Sequence, residues 1–178
     1  MNYKSILNLI GLLLAIFSFA FIPPLIVTFI YKEPLSEIFL YSFLFLISLG
    51  VLMWFISRQK GLPLNISDGF IITTMFWIVL ACAGSIPFYF FGLSFNDAIF
   101  ESVSGITTTG ATLIVGLDDL PKSLLLYRQL LQWIGGMGLI ILAVAVMPAL
   151  GIGGSQLYKM ELPGSHGNQK LTPKITDS

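Results

Sequence analysis

Long apolar stretches, separated by short segments that carry the charged residues, constrain this chain more than any other feature of its sequence. Four of them reach the roughly 20 residues that an α-helix needs to cross a bilayer, and they cover residues 6–30, 38–56, 70–91 and 127–147. The chain is 56% hydrophobic and only 10% charged. The sequence therefore predicts an all-α integral membrane protein, because backbone polar groups within a bilayer must be paired inside each helix.

Prolines interrupt two of these stretches. Pro23 and Pro24 lie within the first stretch, and Pro87 lies near the end of the third. Proline lacks a backbone N–H, and its ring crowds the preceding turn of a helix. We therefore expect a kink or a helix end at each of these positions.

Charge and cysteine content exclude several classes of function. The formal net charge is zero, which leaves no basic face for nucleic acid, and membrane lipid is the expected environment. The single Cys82 excludes an intrachain disulfide framework, and we expect it to be a small buried apolar residue. An enzyme is not expected, since no Ser/His pair and no pair of metal ligands falls within the apolar stretches.

The distribution of lysine and arginine predicts the orientation in the membrane. A cytoplasmic N-terminus places six basic residues inside and three outside, in agreement with the positive-inside rule. The six are Lys4, Arg58, Lys60, Lys159, Lys170 and Lys174, and the three are Lys32, Lys122 and Arg128. The segment between the third and fourth stretches would then face the outside of the cell.

That segment contains a polar part that is too short to span a bilayer. Residues 102–117 carry no charge, and a short uncharged polar segment between two spans is typical of a re-entrant loop. Ser94 or Asn96 can cap a preceding helix, and Asp97 in its first turn suits the positive end of the helix dipole. From Asp97 to about Ile106 this helix would rise about 15 Å, half the apolar thickness of a bilayer. Its C-terminal carbonyls would then favour a cation near mid-membrane.

The residues after this short helix can offer backbone carbonyls to a dehydrated cation. Gly105 can end the helix, and the β-branched Thr107, Thr108 and Thr109 favour extended backbone. Gly110 can adopt positive φ and turn its carbonyl towards a central axis. Non-helical backbone at bilayer depth requires a cavity or a cover of protein, so the loop is a candidate ion-selectivity filter. The alternative is a structural membrane module that does not conduct, with an ordinary extracellular loop.

Charged residues and glycines around the loop have alternative roles. Glu101 could add negative potential near the external mouth, or it could be a buried acceptor for backbone donors of the loop, which is the favoured role. Arg128 could pair with Asp118 or Asp119, or only anchor the end of the fourth stretch, and the anchor is favoured. The run Gly135-Gly-Met-Gly138 could allow close helix packing or loosen its helix, and close packing is favoured.

Four motifs follow one another in the second half of the chain: Phe100-Glu-Ser-Val-Ser-Gly-Ile-Thr-Thr-Thr-Gly-Ala-Thr112, Gly116-Leu-Asp-Asp-Leu-Pro121, Tyr127-Arg-Gln-Leu-Leu-Gln-Trp-Ile-Gly-Gly-Met-Gly138 and Gly151-Ile-Gly-Gly-Ser-Gln-Leu-Tyr158. Together they resemble the first pore repeat of the TrkH/TrkG branch of the Trk/Ktr/HKT potassium transporters. The resemblance covers nearly the whole chain and includes two leading helices typical of that branch. It implies a pseudo-fourfold, channel-like pore built from four repeats of helix, re-entrant pore loop and helix within one polypeptide.

Under this resemblance the chain divides into three parts. Residues 1–60 would form two leading transmembrane helices, 61–150 the first repeat, and 151–178 a cytoplasmic linker toward a second repeat. The family closes its filter with four repeats, whereas this chain carries one. We therefore expect an N-terminal fragment that does not conduct alone.

The resemblance also assigns the site. Carbonyls of Thr108 and Thr109 would bind K+, and Gly110 would be the filter glycine of this repeat. Thr107 and Ala111 are weaker candidates at the two edges of the loop. The implied function is K+ uptake, without an organic cofactor, by a multi-pass protein of the bacterial plasma (inner) membrane. The implied partners are a TrkA-type nucleotide-binding cytoplasmic subunit and, for the full-length protein, a second copy in a homodimer.

Overall fold

The structure is a computed structural model that describes residues 3–57 and 66–149, with backbone alone for 66–70, 139 and 141–149. Every regular element in these two ranges is a helix, which confirms the predicted all-α fold. One compact unit comprises Met1–Leu142 and a second comprises Ala143–Ser178, of which only the helical end up to Ala149 is described. The predicted linker at 151–178 lies outside the described residues, as do five of the basic residues on which the orientation rests: Arg58, Lys60, Lys159, Lys170 and Lys174.

Seven α-helices occur in the described ranges. They are α1 (Tyr3–Ser18), α2 (Ile22–Tyr31), α3 (Ser36–Ile56), α4 (Ile66–Gly84), α5 (Ile86–Phe91), α6 (Phe95–Ile106) and α7 (Lys122–Ala149). Three apolar segments of these residues are long enough to cross a membrane, namely Tyr3–Tyr31, Ser36–Ile56 and Ile71–Phe91. They match the first three predicted stretches. The fourth stretch lies within α7, and its spanning role stays a prediction.

Both proline sites interrupt a helix, which confirms the expectation from the sequence. The first interruption is a 3-10 turn at Phe19–Phe21 between α1 and α2, and Pro23 and Pro24 follow it in the first turn of α2. The second lies between α4 and α5, where Pro87 occupies the first turn of α5. The first N–H groups of a helix have no helical partner, so proline costs no hydrogen bond there.

Two glycines bring α1 and α3 into backbone contact. A Cβ built on Gly11 would lie 2.8 Å from the carbonyl oxygen of Gly50, and one built on Gly50 would lie 2.6 Å from the amide nitrogen of Ala15. The Asn8 side chain donates a hydrogen bond of 2.9 Å to the Trp54 carbonyl between the same two helices. Small residues at the crossing point allow this close packing in membranes, and they make the leading helices a tight hairpin.

A buried tyrosine joins this hairpin to the helices that carry the polar loop. The Tyr127 ring of α7 lies 5.5 Å from Phe21, 5.7 Å from Phe39 and 5.3 Å from Phe88, measured between ring centroids. Its hydroxyl donates a hydrogen bond of 2.8 Å to the Gly84 carbonyl, beside the interruption between α4 and α5. Aromatic pairs at these distances stabilise a core by about 0.5–1.5 kcal/mol each beyond their buried area.

Glu33, in the turn between α2 and α3, caps the start of α7. Its carboxylate accepts hydrogen bonds from the backbone N–H of Lys122 at 2.6 Å and of Ser123 at 3.1 Å, and from the Ser123 hydroxyl. First-turn N–H groups have no helical partner, and negative charge is favourable at this end of the helix dipole. The leading hairpin therefore fixes the start of the helix that follows the polar loop.

The outer surface of the described helices is apolar, as a lipid environment requires. Its exposed side chains include Phe29, Phe45 and Phe55. Cys82 is also exposed, so the expectation of a buried cysteine is wrong. A thiol behaves as a small apolar group and can therefore face lipid as well as a protein core.

Candidate functional site

The short helix before the polar loop is α6, and its start confirms the predicted cap. The Ser94 hydroxyl accepts a hydrogen bond from the Asp97 N–H at 3.2 Å and donates one to the Asp97 carboxylate at 2.7 Å. The helix begins at Phe95, two residues before the predicted start, and contains 12 residues. At about 1.5 Å per residue it rises about 18 Å, somewhat more than half the apolar thickness of a bilayer.

The end of α6 at Ile106 agrees with the predicted length of this helix, whereas the backbone after it differs from the prediction. The helix continues through Gly105 to Ile106, Thr107 caps it with φ −80° and ψ 1°, and Thr108 takes the left-handed region at φ 58°. The expectation of extended backbone along the threonine run is therefore wrong at its first two residues. Gly105 allows close packing instead, because a Cβ there would lie 2.9 Å from the Cβ of Leu131 on α7.

The left-handed turn directs the N–H groups of the loop back onto α6. Four consecutive amides donate to carbonyls of its last turn: Thr107 to Val103 at 2.8 Å, Thr108 to Gly105 at 3.0 Å, Thr109 to Ser104 at 3.0 Å and Gly110 to Ser104 at 3.4 Å. Within the described ranges, none of the loop's hydrogen bonds ends on the carbonyl oxygen of Thr108, Thr109 or Gly110. The exposed backbone here therefore offers acceptors and keeps its donors occupied.

Two positions in this loop have backbone conformations that side chains rarely adopt. Gly110 has φ 74°, the positive value predicted for it, and a Cβ there would find its nearest contact at 3.9 Å, on Nε2 of Gln132. Backbone conformation, and not crowding, therefore calls for glycine. Thr108 is β-branched and still has positive φ, a strained state that costs on the order of 1–3 kcal/mol and occurs most often at functional sites.

The edge positions of the loop are held by α6. The Ala111 carbonyl accepts a hydrogen bond of 2.6 Å from the Ser104 hydroxyl. The Thr107 hydroxyl donates to the Val103 carbonyl at 2.7 Å and lies 2.8 Å from the Thr109 hydroxyl. The Ala111 oxygen is thus directed at α6, which leaves the unengaged carbonyls between the two edges.

Glu101 of α6 is buried beneath the far end of the loop. Its Oε1 accepts hydrogen bonds from the Thr112 hydroxyl at 2.6 Å and the Leu113 amide at 2.7 Å. Its Oε2 lies 3.1 Å from Nε of Arg128 on α7, and the two side chains are 0% and 8% exposed. The Leu113 contact confirms the predicted acceptor role. A contribution of Glu101 to the potential at the mouth stays a prediction.

The environment of Arg128 differs from both of the roles predicted for it. Arg128 is buried and pairs with Glu101, so the favoured surface anchor and the pairing with Asp118 or Asp119 are both wrong. The two residues are 27 positions apart, and no periodic pattern links them. The signal that could have found the pair is chemical, since charged groups in an apolar region need an opposite charge or several hydrogen bonds.

Gly135 places α7 directly against the end of α6. A Cβ at Gly135 would lie 1.9 Å from the Ile106 carbonyl oxygen, which confirms the predicted close packing of the glycine run. A cavity of about 220 Å³ adjoins this contact and is lined by Trp77, Thr107 and Thr108 in addition to these two residues. The loop therefore lies at the junction of α4, α6 and α7.

No cluster of three or more His, Cys, Asp and Glu side chains in the described ranges could hold a metal ion. The polar groups that the exposed loop itself offers are the carbonyl oxygens of Thr108, Thr109 and Gly110 and the threonine hydroxyls. Such ligands suit an alkali cation that exchanges its hydration shell for protein oxygens.

Comparisons with known proteins identify the relatives of this chain. Residues 35–178 match the family model described as "TrkH: Cation transport protein". The chain is 48% identical over 181 residues to the Trk system potassium uptake protein TrkH of Vibrio parahaemolyticus, with 100% of the chain and 37% of that protein covered. It is 42% identical over 180 residues to the Trk system potassium uptake protein TrkG of Escherichia coli, with 99% and 37% covered.

A solved structure shows the same architecture. The crystal structure of the potassium transporter TrkH from Vibrio parahaemolyticus superimposes with a TM-score of 0.81 at 49% sequence identity, and covers 86% of this chain and 34% of that one. The chain thus spans 37% of the length of the Vibrio parahaemolyticus relative.

Proposed function

The chain belongs to the TrkH family of cation transport proteins, and we propose that it takes part in K+ uptake by forming one wall of a K+ selectivity filter. It is a membrane-embedded, multi-pass protein, and its relatives are named potassium uptake proteins. The observation that carries the proposal is the polarity of the loop. Its amides from Thr107 to Gly110 are bound to α6, while the carbonyls of Thr108, Thr109 and Gly110 remain unengaged among the described residues.

K+ would bind by exchanging water for these carbonyl oxygens. The dipole of α6 adds partial negative charge at its C-terminal end, where the loop begins, and so favours a cation over an anion. The exposed carbonyls of Thr108 and Thr109 are the proposed ligands, and the positive φ of Gly110 lets the backbone turn between them and the edge at Ala111. Thr107 and Ala111 close the two ends of the site.

One loop can surround only part of an ion, so we propose that this chain supplies one quarter of the filter. The residues from Thr107 to Ala111 are exposed, and non-helical backbone within a bilayer must be lined by water or covered by protein. The chain spans 37–38% of its relatives TrkH of Vibrio parahaemolyticus and TrkH of Escherichia coli, and further repeats would supply the remaining walls.

We propose a bacterial plasma (inner) membrane location with a cytoplasmic N-terminus. Support comes from the turn that carries Lys32 and Glu33, because Glu33 caps α7 at Lys122. Through this contact Lys32 and Lys122, two of the three basic residues predicted to be external, lie at the same end of the helices. A TrkA-type nucleotide-binding subunit on the cytoplasmic side and a homodimer of the full-length protein are the proposed partners.

A chimera tests the proposed function. This chain would replace the matching 37% of TrkH from Vibrio parahaemolyticus, in a host that lacks its own K+ uptake systems. We expect growth at limiting K+ and uptake of radioactive Rb+, close to that of the intact Vibrio protein. A chimera that is abundant in the membrane but takes up neither ion would contradict the proposal and favour a structural module with an ordinary loop.

A further inference from the structure

We propose that Glu101 and Arg128 are positioning residues, which hold the loop carbonyls in the geometry that distinguishes K+ from Na+. This inference rests on the proposed function of the loop. The pairing of these two side chains is not among the expectations from the sequence.

A single carboxylate joins three elements. Glu101 belongs to α6, its Oε1 binds the Thr112 hydroxyl and the Leu113 amide, and its Oε2 binds Arg128 of α7. The C-terminal end of the loop, at Thr112 and Leu113, is therefore held to both α6 and α7. No other described ion pair reaches the loop.

Both ends of the loop are anchored, and the unengaged carbonyls lie between the anchors. At the start, the amides of Thr107 to Gly110 bind the last turn of α6. At the end, Ser104 holds the Ala111 carbonyl and Glu101 holds the next two residues. The two sets of anchors meet at Gly110 and Ala111, next to the left-handed Gly110, so a shift of the second set must redirect the Gly110 carbonyl first and then the peptide of Thr109.

Burial of the pair argues for a geometric role. The Glu101 and Arg128 side chains are 0% and 8% exposed, and desolvation offsets most of the attraction in a buried ion pair. Such a pair adds little net stability compared with well-packed apolar residues, but its hydrogen bonds have fixed directions and lengths. The arrangement therefore contributes order at the loop more than it contributes to overall stability.

The measurable consequence is the ratio of K+ to Na+ transport. Selection between these ions depends on the size of the cavity or on the number and field strength of the carbonyl dipoles around the ion, and the anchors hold the carbonyls in the positions on which these depend. The number of folded transporters affects both fluxes equally and cancels in the ratio. A role confined to folding would therefore lower the two fluxes together and leave the ratio unchanged.

The test uses the chimera described above, with uptake of radioactive Rb+ and Na+ measured in the same cells. In Glu101→Gln the Rb+/Na+ ratio should fall by about tenfold, the factor that corresponds to the loss of one charge-assisted hydrogen bond. Asp97→Asn is the matched control, because Asp97 is a carboxylate of the same helix that contacts Ser94 and not the loop. It should keep the parental ratio.

Two further variants complete the test. The double variant Glu101→Gln/Arg128→Gln leaves neither charge buried alone, and it should recover part of the ratio that Glu101→Gln loses. Thr112→Val keeps both charges and removes the hydrogen bond to Glu101, together with the one that the hydroxyl accepts from the Ile114 amide. It replaces Glu101→Gln in the test if that variant yields too little folded protein, and its ratio should also fall by about tenfold, because the bond lost at Glu101 is again one to a charged carboxylate.

An unchanged ratio in a transporting Glu101→Gln or Thr112→Val chimera would overturn the inference. The Gly110→Ala variant separates this failure from a failure of the proposed function. If Gly110→Ala changes the ratio and the Glu101 and Thr112 variants do not, the loop is the filter and the pair has no positioning role. If none of the three changes it, the assignment of the filter itself is wrong.

Discussion

Gly135 of α7 lies so close to Ile106 of α6 that a Cβ at the glycine would be 1.9 Å from the Ile106 carbonyl oxygen. This contact joins the helix after the loop to the last residue of the helix before it. Because the obstructing atom belongs to the backbone, no rotamer change can relieve the clash. The contact therefore determines the position of Thr107, the residue that follows Ile106, relative to α7.

Gly135→Ala in the chimera should separate α6 from α7. We expect the free energy of unfolding to fall by about 1–3 kcal/mol, as for other overpacked sites, and Rb+ uptake to decline because the loop is displaced. Thermal unfolding of the purified protein measures the first effect. Gly138→Ala is the control, since its added Cβ would meet Trp77 at an ordinary 3.6 Å. Equal stability of the two variants would show that the close contact does not exist.

Gly110→Ala should lower selectivity for K+ through backbone strain. Gly116 is a matched control, because its φ of 75° nearly equals the 74° of Gly110 and it lies outside the proposed site. An alanine at either position costs on the order of 1 kcal/mol or more in backbone conformation. The Rb+/Na+ uptake ratio should fall by about fivefold or more in Gly110→Ala and stay at the parental value in Gly116→Ala. A similar ratio in both would remove Gly110 from the filter.

Tyr127→Phe should weaken the contact between α7 and the end of α4. The ring contacts persist, but the Gly84 carbonyl loses its hydrogen bond from the hydroxyl. A buried acceptor left without its partner costs about 1–3 kcal/mol, to be measured by thermal unfolding. Tyr89→Phe, at a tyrosine that is 51% exposed, should have no measurable effect. A melting temperature for Tyr127→Phe that matches this control would contradict the buried hydrogen bond.

Glu33→Gln should loosen the start of α7 and leave selectivity intact. The amide keeps one acceptor oxygen, so only part of the capping of Lys122 and Ser123 is lost, together with the charge. We expect a loss of about 0.5–2 kcal/mol in unfolding free energy and an unchanged Rb+/Na+ ratio. Glu37→Gln removes a charge from the exposed first turn of α3 and serves as the control. A shift in the ratio for Glu33→Gln would mean that the hairpin also acts on the filter.

The sequence predicted the features that depend on local composition. The described spans follow from apolar runs, the helix interruptions follow from Pro23, Pro24 and Pro87, and the cap at Ser94 follows from short-range hydrogen bonding. The positive φ of Gly110 belongs to the same class. Each of these features is decided by neighbours along the chain.

The features that the sequence missed depend on contacts between distant residues. Gly105 is a candidate helix end from its sequence, but α6 ends one residue later at Ile106, and the missing side chain of Gly105 makes room for Leu131 of α7. The left-handed conformation occurs at Thr108, where the sequence favoured extended backbone. Arg128 looked like a surface anchor, but Glu101 is its buried partner. Neither outcome can be read from spacing alone, because each requires the position of α7 beside α6.

The most direct test of the central claim is diffraction from crystals of the chimera grown with Rb+, recorded at the anomalous edge of that ion. We predict an anomalous peak on the exposed side of the loop, within coordination distance of the carbonyl oxygens of Thr108, Thr109 or Gly110. A peak bound only by side-chain carboxylates elsewhere, with solvent alone beside these carbonyls, would contradict the account.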